Sequence, residues 1–240
     1  MLFSKNNQRI GFDFKKLLRK RHFWLILTAI IITIVVFSTR LPFVAPPPTP
    51  EQAILALNNT FMAESYRFTT RATVYLDNAE RLFSQLTGTK SGENRHINGE
   101  VLGTPINIYY VNNAIFQQSS IDRSWRQVAE ADLAAARQMI TEITPETNFQ
   151  FQEMGEIIYI GSEEIDGQML HRLELDPIMA DNWLERYFDN IHCIIWLDES
   201  AEFIVRARFS ATSTQNPTVW LMIENTFSDF NQPITITAPL

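Results

Sequence analysis

Cysteine is nearly missing from this chain: Cys193 is the only one in 240 residues. An internal disulfide is therefore excluded, and the folded part must hold by its core alone. Cys193 lies in the apolar run Cys193-Ile194-Ile195-Trp196-Leu197, so a small buried hydrophobe is expected there rather than a reactive thiol. Glycine is scarce as well, at eight residues, which argues against collagen-like or low-complexity architecture. The four histidines, His22, His96, His171 and His192, are not spaced from one another, from cysteine or from carboxylates as a zinc site requires. No Gly-x-Ser-x-Gly, phosphate-binding loop, dinucleotide fingerprint or EF-hand loop occurs. No catalytic residue, metal or cofactor is therefore expected, and the chain does not read as an enzyme. The acidic run Glu163-Glu164-Ile165-Asp166-Gly167 lacks the alternating ligands of a calcium loop and reads as a solvated turn. The sequon Asn58-Asn59-Thr60 falls inside a predicted helix.

Positive charge is missing from most of the chain. Residues 1–40 carry eight basic residues against Asp13 alone, whereas residues 41–240 carry twelve against twenty-six acids, a net charge of −14. Lys90 is the only lysine of that second part. Such acidity repels nucleic acid and anionic headgroups, so no nucleic-acid partner is expected.

From Phe23 to Phe37 there is no charged residue, and only Thr28 and Thr33 are polar. Flanked by His22, Ser38 and Thr39, the stretch approaches the ~20 residues that cross a bilayer. Lys15, Lys16, Arg19, Lys20 and Arg21 precede it, which by the positive-inside rule puts the N-terminus in the cytoplasm and the rest outside the cell membrane. A cleavable signal peptide is the competing reading. The apolar run is long for one, and the nearest small-residue site ends at Ala45 before Pro46, with bulky Phe43 two positions earlier. An uncleaved single-pass anchor is preferred. The expected organisation is a basic tail at 1–22, a transmembrane helix at 23–41, a proline-rich stalk at 42–50 and an extracytoplasmic β-rich domain at 51–240.

Thr49-Pro50-Glu51-Gln52 is a helix start, with threonine as N-cap, proline in the first turn and glutamine returning to the cap. Ala53, Leu57, Phe61 and Met62 give that helix its apolar stripe. The period then switches to two: Phe68, Thr70, Ala72, Val74 and Leu76 alternate with Arg67, Thr69, Arg71, Thr73 and Tyr75. Similar alternation over 81–90, 93–102, 106–111 and 114–118 predicts an antiparallel meander. A helix over 131–143, strands at 156–161 and 169–176 around an Asp166-Gly167 turn, and a helix over 177–190 follow. Strands at 192–198, 202–212 and 218–227 come next, with a short edge strand from Asn231 to Ile236. The expected fold class is α+β: a curved antiparallel half-barrel sheet of about ten strands wrapped on two or three helices, plus the transmembrane helix.

This order of elements resembles a known group. The tethered start, the helix, the meander, Ser124-Trp125, the Asp-Gly hairpin, the strand Ile195-Trp196-Leu197-Asp198 and the ending Phe227-Ser228-Asp229-Phe230-Asn231-Gln232-Pro233-Ile234 are similar to bacterial extracytoplasmic proteins of the LolA-like fold, especially LppX/LprG-type lipoproteins. The resemblance implies an apolar cavity between sheet and helices that carries acyl chains. Its inward-facing candidates here are Val74, Leu76, Leu82, Leu86, Ile106, Ile108, Met169, Leu173, Ile195, Leu197, Phe203, Val205, Leu221 and Ile223, with packing in a closed core as the alternative for each. This chain departs from the group in having a fixed helix instead of a lipid anchor, which favours hand-over at the membrane surface over long-range shuttling. Two functions follow from different classes: binding of a lipid or other apolar ligand, or an envelope protein-interaction or sensing domain that uses the arginine-marked faces at Arg67, Arg71, Arg206 and Arg208.

Overall fold

The computed structural model describes residues 46–239 except 78, 181 and 182, together with Thr28, which is helical. The rest of the expected span from Phe23 to Thr39, the basic tail and the start of the stalk lie outside the described residues. Among the described residues, no helix is long and apolar enough to cross a membrane.

Helix α1 (Pro50–Met62) begins as its sequence dictates. The Thr49 hydroxyl accepts from the Gln52 amide at 3.3 Å, and the Gln52 side chain accepts from the Thr49 amide at 2.8 Å, so two donors of the open helix end are satisfied reciprocally. The buried face is Ala53, Ala56 and Thr60, flanked by Leu57 and Phe61. Met62 lies off it, 83% exposed. Thr60 is buried for a reason its sequon conceals. Its hydroxyl donates to Ala56 O at 2.7 Å and accepts the Ile204 amide at 2.8 Å, pinning the helix to the sheet.

Six strands follow in a meander: β1 (Ser65–Leu76), β2 (Ala79–Ser91), β3 (Asn94–Val101), β4 (Thr104–Val111), β5 (Ala114–Gln118) and β6 (Trp125–Gln127). After α2 (Leu133–Ile143) and a 3₁₀ turn (Pro145–Phe149) come β7 (Phe151–Glu153), β8 (Ile157–Ile165), β9 (Gln168–Leu175), β10 (Ile178–Met179), α3 (Trp183–Tyr187), β11 (Phe188–Leu197), β12 (Ile204–Ser213) and β13 (Val219–Ser228). Eleven strands form one open, curved antiparallel sheet in the order β6-β5-β4-β3-β2-β1-β13-β12-β11-β9-β8, and β7 pairs with β10 separately. The first and last strands thus meet mid-sheet, with Thr70 opposite Asn225 and Ala72 opposite Ile223. The turns match their chemistry: Asn112 and Asn113 sit at φ 50° and 70°, Asp166 and Gly167 at 52° and 79°.

The α+β sheet-and-helix architecture is as the pattern predicts, with three departures. The helix expected over 177–190 shrinks to the five residues of α3, because Ile178 and Met179 pair with β7 before it and the ladder to β12 begins at Phe188 after it. The edge strand expected from Asn231 to Ile236 joins no ladder. Ser65 Oγ donates to Gln232 O and Ser91 Oγ to Ile234 O, so side chains take its carbonyls, and Pro233 brings no amide. The strand over β12 carries a bulge at Val205: Trp196 pairs with Arg206 but Leu197 pairs with Ile204. Ile204, fully buried, therefore holds the inward position expected of Phe203 and Val205.

The core on the helix-facing side of the sheet is mainly aliphatic, with a cluster of aromatic rings near the 3₁₀ turn. Phe149, from the 3₁₀ turn, meets Phe61 at 4.8 Å, Phe209 at 5.0 Å, Phe151 at 6.0 Å and Phe227 at 6.1 Å between ring centroids. On the opposite face, Trp196 is only 3% exposed. The guanidinium groups of Arg206, Arg208 and Arg172 lie 5.4, 5.7 and 5.8 Å from its ring, and its N–H donates to Glu163 at 3.0 Å.

Candidate ligand cavity

A cavity of about 310 Å³ opens between the sheet and α2, lined among others by Thr70, Ala72, Phe83, Ser84, Leu86, Val101 and Ile223 from the sheet and by Met139, Glu142, Ile143, Asn148 and Trp183 above it. Its origin is legible in side-chain size. Register sets Ala72 opposite Ser84 on one side and Ile223 on the other, and Thr70 opposite Leu86. Three small groups, Thr70, Ala72 and Ser84, thus lie together on an inward face otherwise occupied by large apolar side chains. Met139 and Ile143 of α2 pack on the core from above but do not close the gap. The volume falls at the small end of the ~300–1,000 Å³ typical of ligand pockets.

The fourteen sequence-predicted residues separate into four groups. Leu86 and Ile223 line the cavity. Ile108, Leu173, Ile195, Leu197 and Leu221 are buried within the closed core, 2% exposed or less, so they are packed against native side chains. Val74, Ile106 and Phe203 are half-buried against that core, and Phe203 stacks on Phe230 at 4.3 Å. Leu76, Leu82, Met169 and Val205 lie outside the core cluster. The irregularity between β1 and β2 at Ala72/Thr73 pairs Leu82 with Thr73, whose parity puts it on the face away from the helices. Met169 is 45% exposed beside the β8–β9 turn. Sequence reasoning missed Phe83, Val101, Met139, Ile143 and Trp183. The one available signal was the run of small residues on the inner faces of β1 and β2.

A second recess of about 290 Å³ lies on another flank of α2, with Arg95, Arg137, Thr141, Thr144, Glu146 and Gln150 in its wall beside Tyr110 and Ile140. Glu146 accepts the Tyr66 hydroxyl at 2.5 Å and faces Arg95 at 3.4 Å. Burial, then the Glu146 charge, pushes the Tyr66 hydroxyl far above its ordinary pKa, so it stays a donor. Lys90 donates to Phe61 O at 3.0 Å and Ala63 O at 2.8 Å, capping the C-terminal carbonyls of α1. Burial and the neighbouring Arg95 lower its pKa.

The arginine faces are internally matched. Arg67 pairs with Asp229 at 3.0 Å, Arg71 with Glu80 at 3.2 Å, and Glu224 receives Arg206 at 3.2 Å and Arg208 at 2.9 Å. Burial alone would raise the Glu224 carboxyl, but the hydrogen bonds and charges of Arg208 and then Arg206 outweigh it and hold it below its ordinary value. Cys193 is fully buried, and that burial pushes its thiol upward, as expected of a structural residue. Among the described residues no group of three or more histidines, cysteines or carboxylates could hold a metal.

No family model and no curated protein matches the sequence. Solved structures do. LprF from Mycobacterium bovis superposes with a TM-score of 0.50 at 15% identity, over 81% of this chain and 99% of that one. The lipoprotein LppX of Mycobacterium tuberculosis gives 0.48 at 14% identity, over 79% and 100%. A LolA superfamily protein from Nitrosomonas europaea gives 0.34 at 13%, over 78% and 94%. The chain thus shares the fold of LprF, the architecture that its order of elements implied.

Proposed function

We propose that this chain is a membrane-anchored, extracytoplasmic binding protein that takes a lipid or other apolar ligand into the cavity between the sheet and α2. The carrying observation is the largely apolar cavity itself, flanked by Leu86, Ile223, Met139 and Ile143 between the sheet and α2. The fold and the resemblance read from the sequence support the same reading, and the uncharged segment from Phe23 to about Thr39 supplies the anchor. The binding mode needs no catalytic group. The alternative, a protein-interaction domain, loses its main motive because the arginines it would use are already paired with Asp229, Glu80 and Glu224.

The test is photo-crosslinking of the full chain in its membrane with a diazirine-bearing fatty-acyl probe, followed by peptide mapping. Labelling of the segments around Phe83–Leu86 and Met139–Ile143 is expected. Ser84→Phe and Met139→Trp, each adding bulk to the cavity wall, should abolish it in protein that keeps its circular-dichroism spectrum. Labelling confined to the segment 23–39 would remove the cavity from the account.

A further inference from the structure

Helix α1 has a second apolar face that the core does not use. Its buried side is Ala53, Ala56 and Thr60, yet Ile54, Leu55 and Met62 are 42%, 58% and 83% exposed. Ile54, Asn58 and Met62 recur every fourth residue and Leu55 precedes Met62 by seven, so the four form one stripe along the helix. A single exposed apolar side chain is ordinary. Three on one stripe of a 13-residue helix make a surface. Glu51 is the only charged residue of the helix, which carries no lysine or arginine.

Chain length decides what this face meets, on the reading above that residues 23–39 are the anchor. Nine residues lead from Thr39 to Pro48, which is buried at the start of the domain. Fully extended at ~3.6 Å each they reach about 32 Å. That is less than the ~40 Å width of a compact domain of this size. The start of α1 is therefore confined to the neighbourhood of the bilayer, whatever the path of the stalk. We infer that the outward stripe of α1 rests on the leaflet from which the domain emerges, with Ile54, Leu55 and Met62 among the upper acyl carbons and the Asn58 amide at headgroup level. With no base on the helix and a net charge of −14 over residues 41–240, the contact is apolar and made with neutral lipid, not an attraction to anionic headgroups.

Fluorescent labelling of the full chain in phosphatidylcholine vesicles tests this. Cys193 is fully buried and its thiol is held protonated, so an introduced cysteine is the one reactive site. A thiol-linked dye at Leu55→Cys or Met62→Cys should be quenched by acyl-brominated phosphatidylcholine severalfold more than one at Ile121→Cys. Ile121 is 94% exposed between β5 and β6, at the other end of the strand order from β12 and β8, against which α1 packs. Raising the salt concentration should leave the quenching unchanged. Ile54→Glu combined with Leu55→Glu should abolish it at Met62→Cys in protein that keeps its circular-dichroism spectrum. No quenching at 55 and 62, quenching equal to that at 121, or quenching lost in high salt overturns the docking. A dye shielded without bromine quenching, and exposed again when the chain is diluted in lipid, identifies a second copy as the occupant and overturns it as well. Extraction of the chain from the vesicles by alkaline carbonate instead removes the anchor reading, and the inference falls with it.

Discussion

Replacing Phe149 by alanine asks how completely the helix side of the sheet is filled. Phe149 is 7% exposed and touches four aromatic rings, the nearest at 4.8 Å. A buried phenylalanine withdraws roughly 150–250 Å² from water, which at ~25 cal/mol per Å² is about 4–6 kcal/mol gross. Truncations of this kind lose about 3–5 kcal/mol once partial relaxation is included. Ring–ring attraction of about 0.5–1.5 kcal/mol per favourable pair argues for the upper part of that range, so about 4–5 kcal/mol is expected. That is a large share of a domain stability of about 5–15 kcal/mol. Phe203→Ala is the internal control. Phe203 is only half-buried and stacks on Phe230 alone, so a loss of about 1–2 kcal/mol follows from the same rates. Urea unfolding followed by tryptophan fluorescence measures both. A Phe149→Ala loss no greater than that of Phe203→Ala would refute the reasoning. It would mean that the centre of the sheet is loosely occupied and that the space for a guest is far larger than the cavity beside α2.

Thr60→Val keeps shape but leaves the buried Ile204 amide without its acceptor, so about 1–3 kcal/mol should be lost; a neutral result on urea unfolding would contradict the pinning of α1 to the sheet. Glu224→Gln should destabilise the domain at neutral pH. A carboxyl whose folded pKa is depressed stabilises above its unfolded value and loses that contribution as pH falls through the folded one. The gap between variant and unaltered protein should therefore narrow below the ordinary value of 4.5, and a gap independent of pH would count against the Arg206–Glu224–Arg208 bridge. Lys90→Met should lower stability by about 1–3 kcal/mol, through loss of two hydrogen bonds to the α1 carbonyls at about 0.5–1.5 kcal/mol each, while Lys90→Arg, which can still donate, should lose less.

Much of the fold was readable because its determinants are local. The Thr49–Gln52 reciprocal cap, the period-two alternation of β1 and the Asp166-Gly167 turn each act within a few residues, and each stands where the pattern put it. What escaped depends on pairing. The bulge at Val205 shifts inward position from Val205 to Ile204, a one-residue slip that no alternation pattern reveals because both are β-branched and apolar. The shortening of the helix expected over 177–190 has the same origin: Trp183, Tyr187 and Phe188 suit a helical stripe, but β7 pairs with Ile178 and Met179 and β12 offers a ladder from Phe188 onward. The cavity is a case of volume, not polarity. Thr70, Ala72 and Ser84 look unremarkable one at a time, and only their register across β1, β2 and β13 shows that they leave a gap together.

Lys90 has a practical consequence beyond its two hydrogen bonds. Beyond residue 40 it offers the chain's sole lysine amine, and that nitrogen is occupied by the end of α1. An acylating reagent would therefore reach it chiefly when the first helix lifts away, so modification speed at this one position becomes a clock for that local opening, distinct from global unfolding.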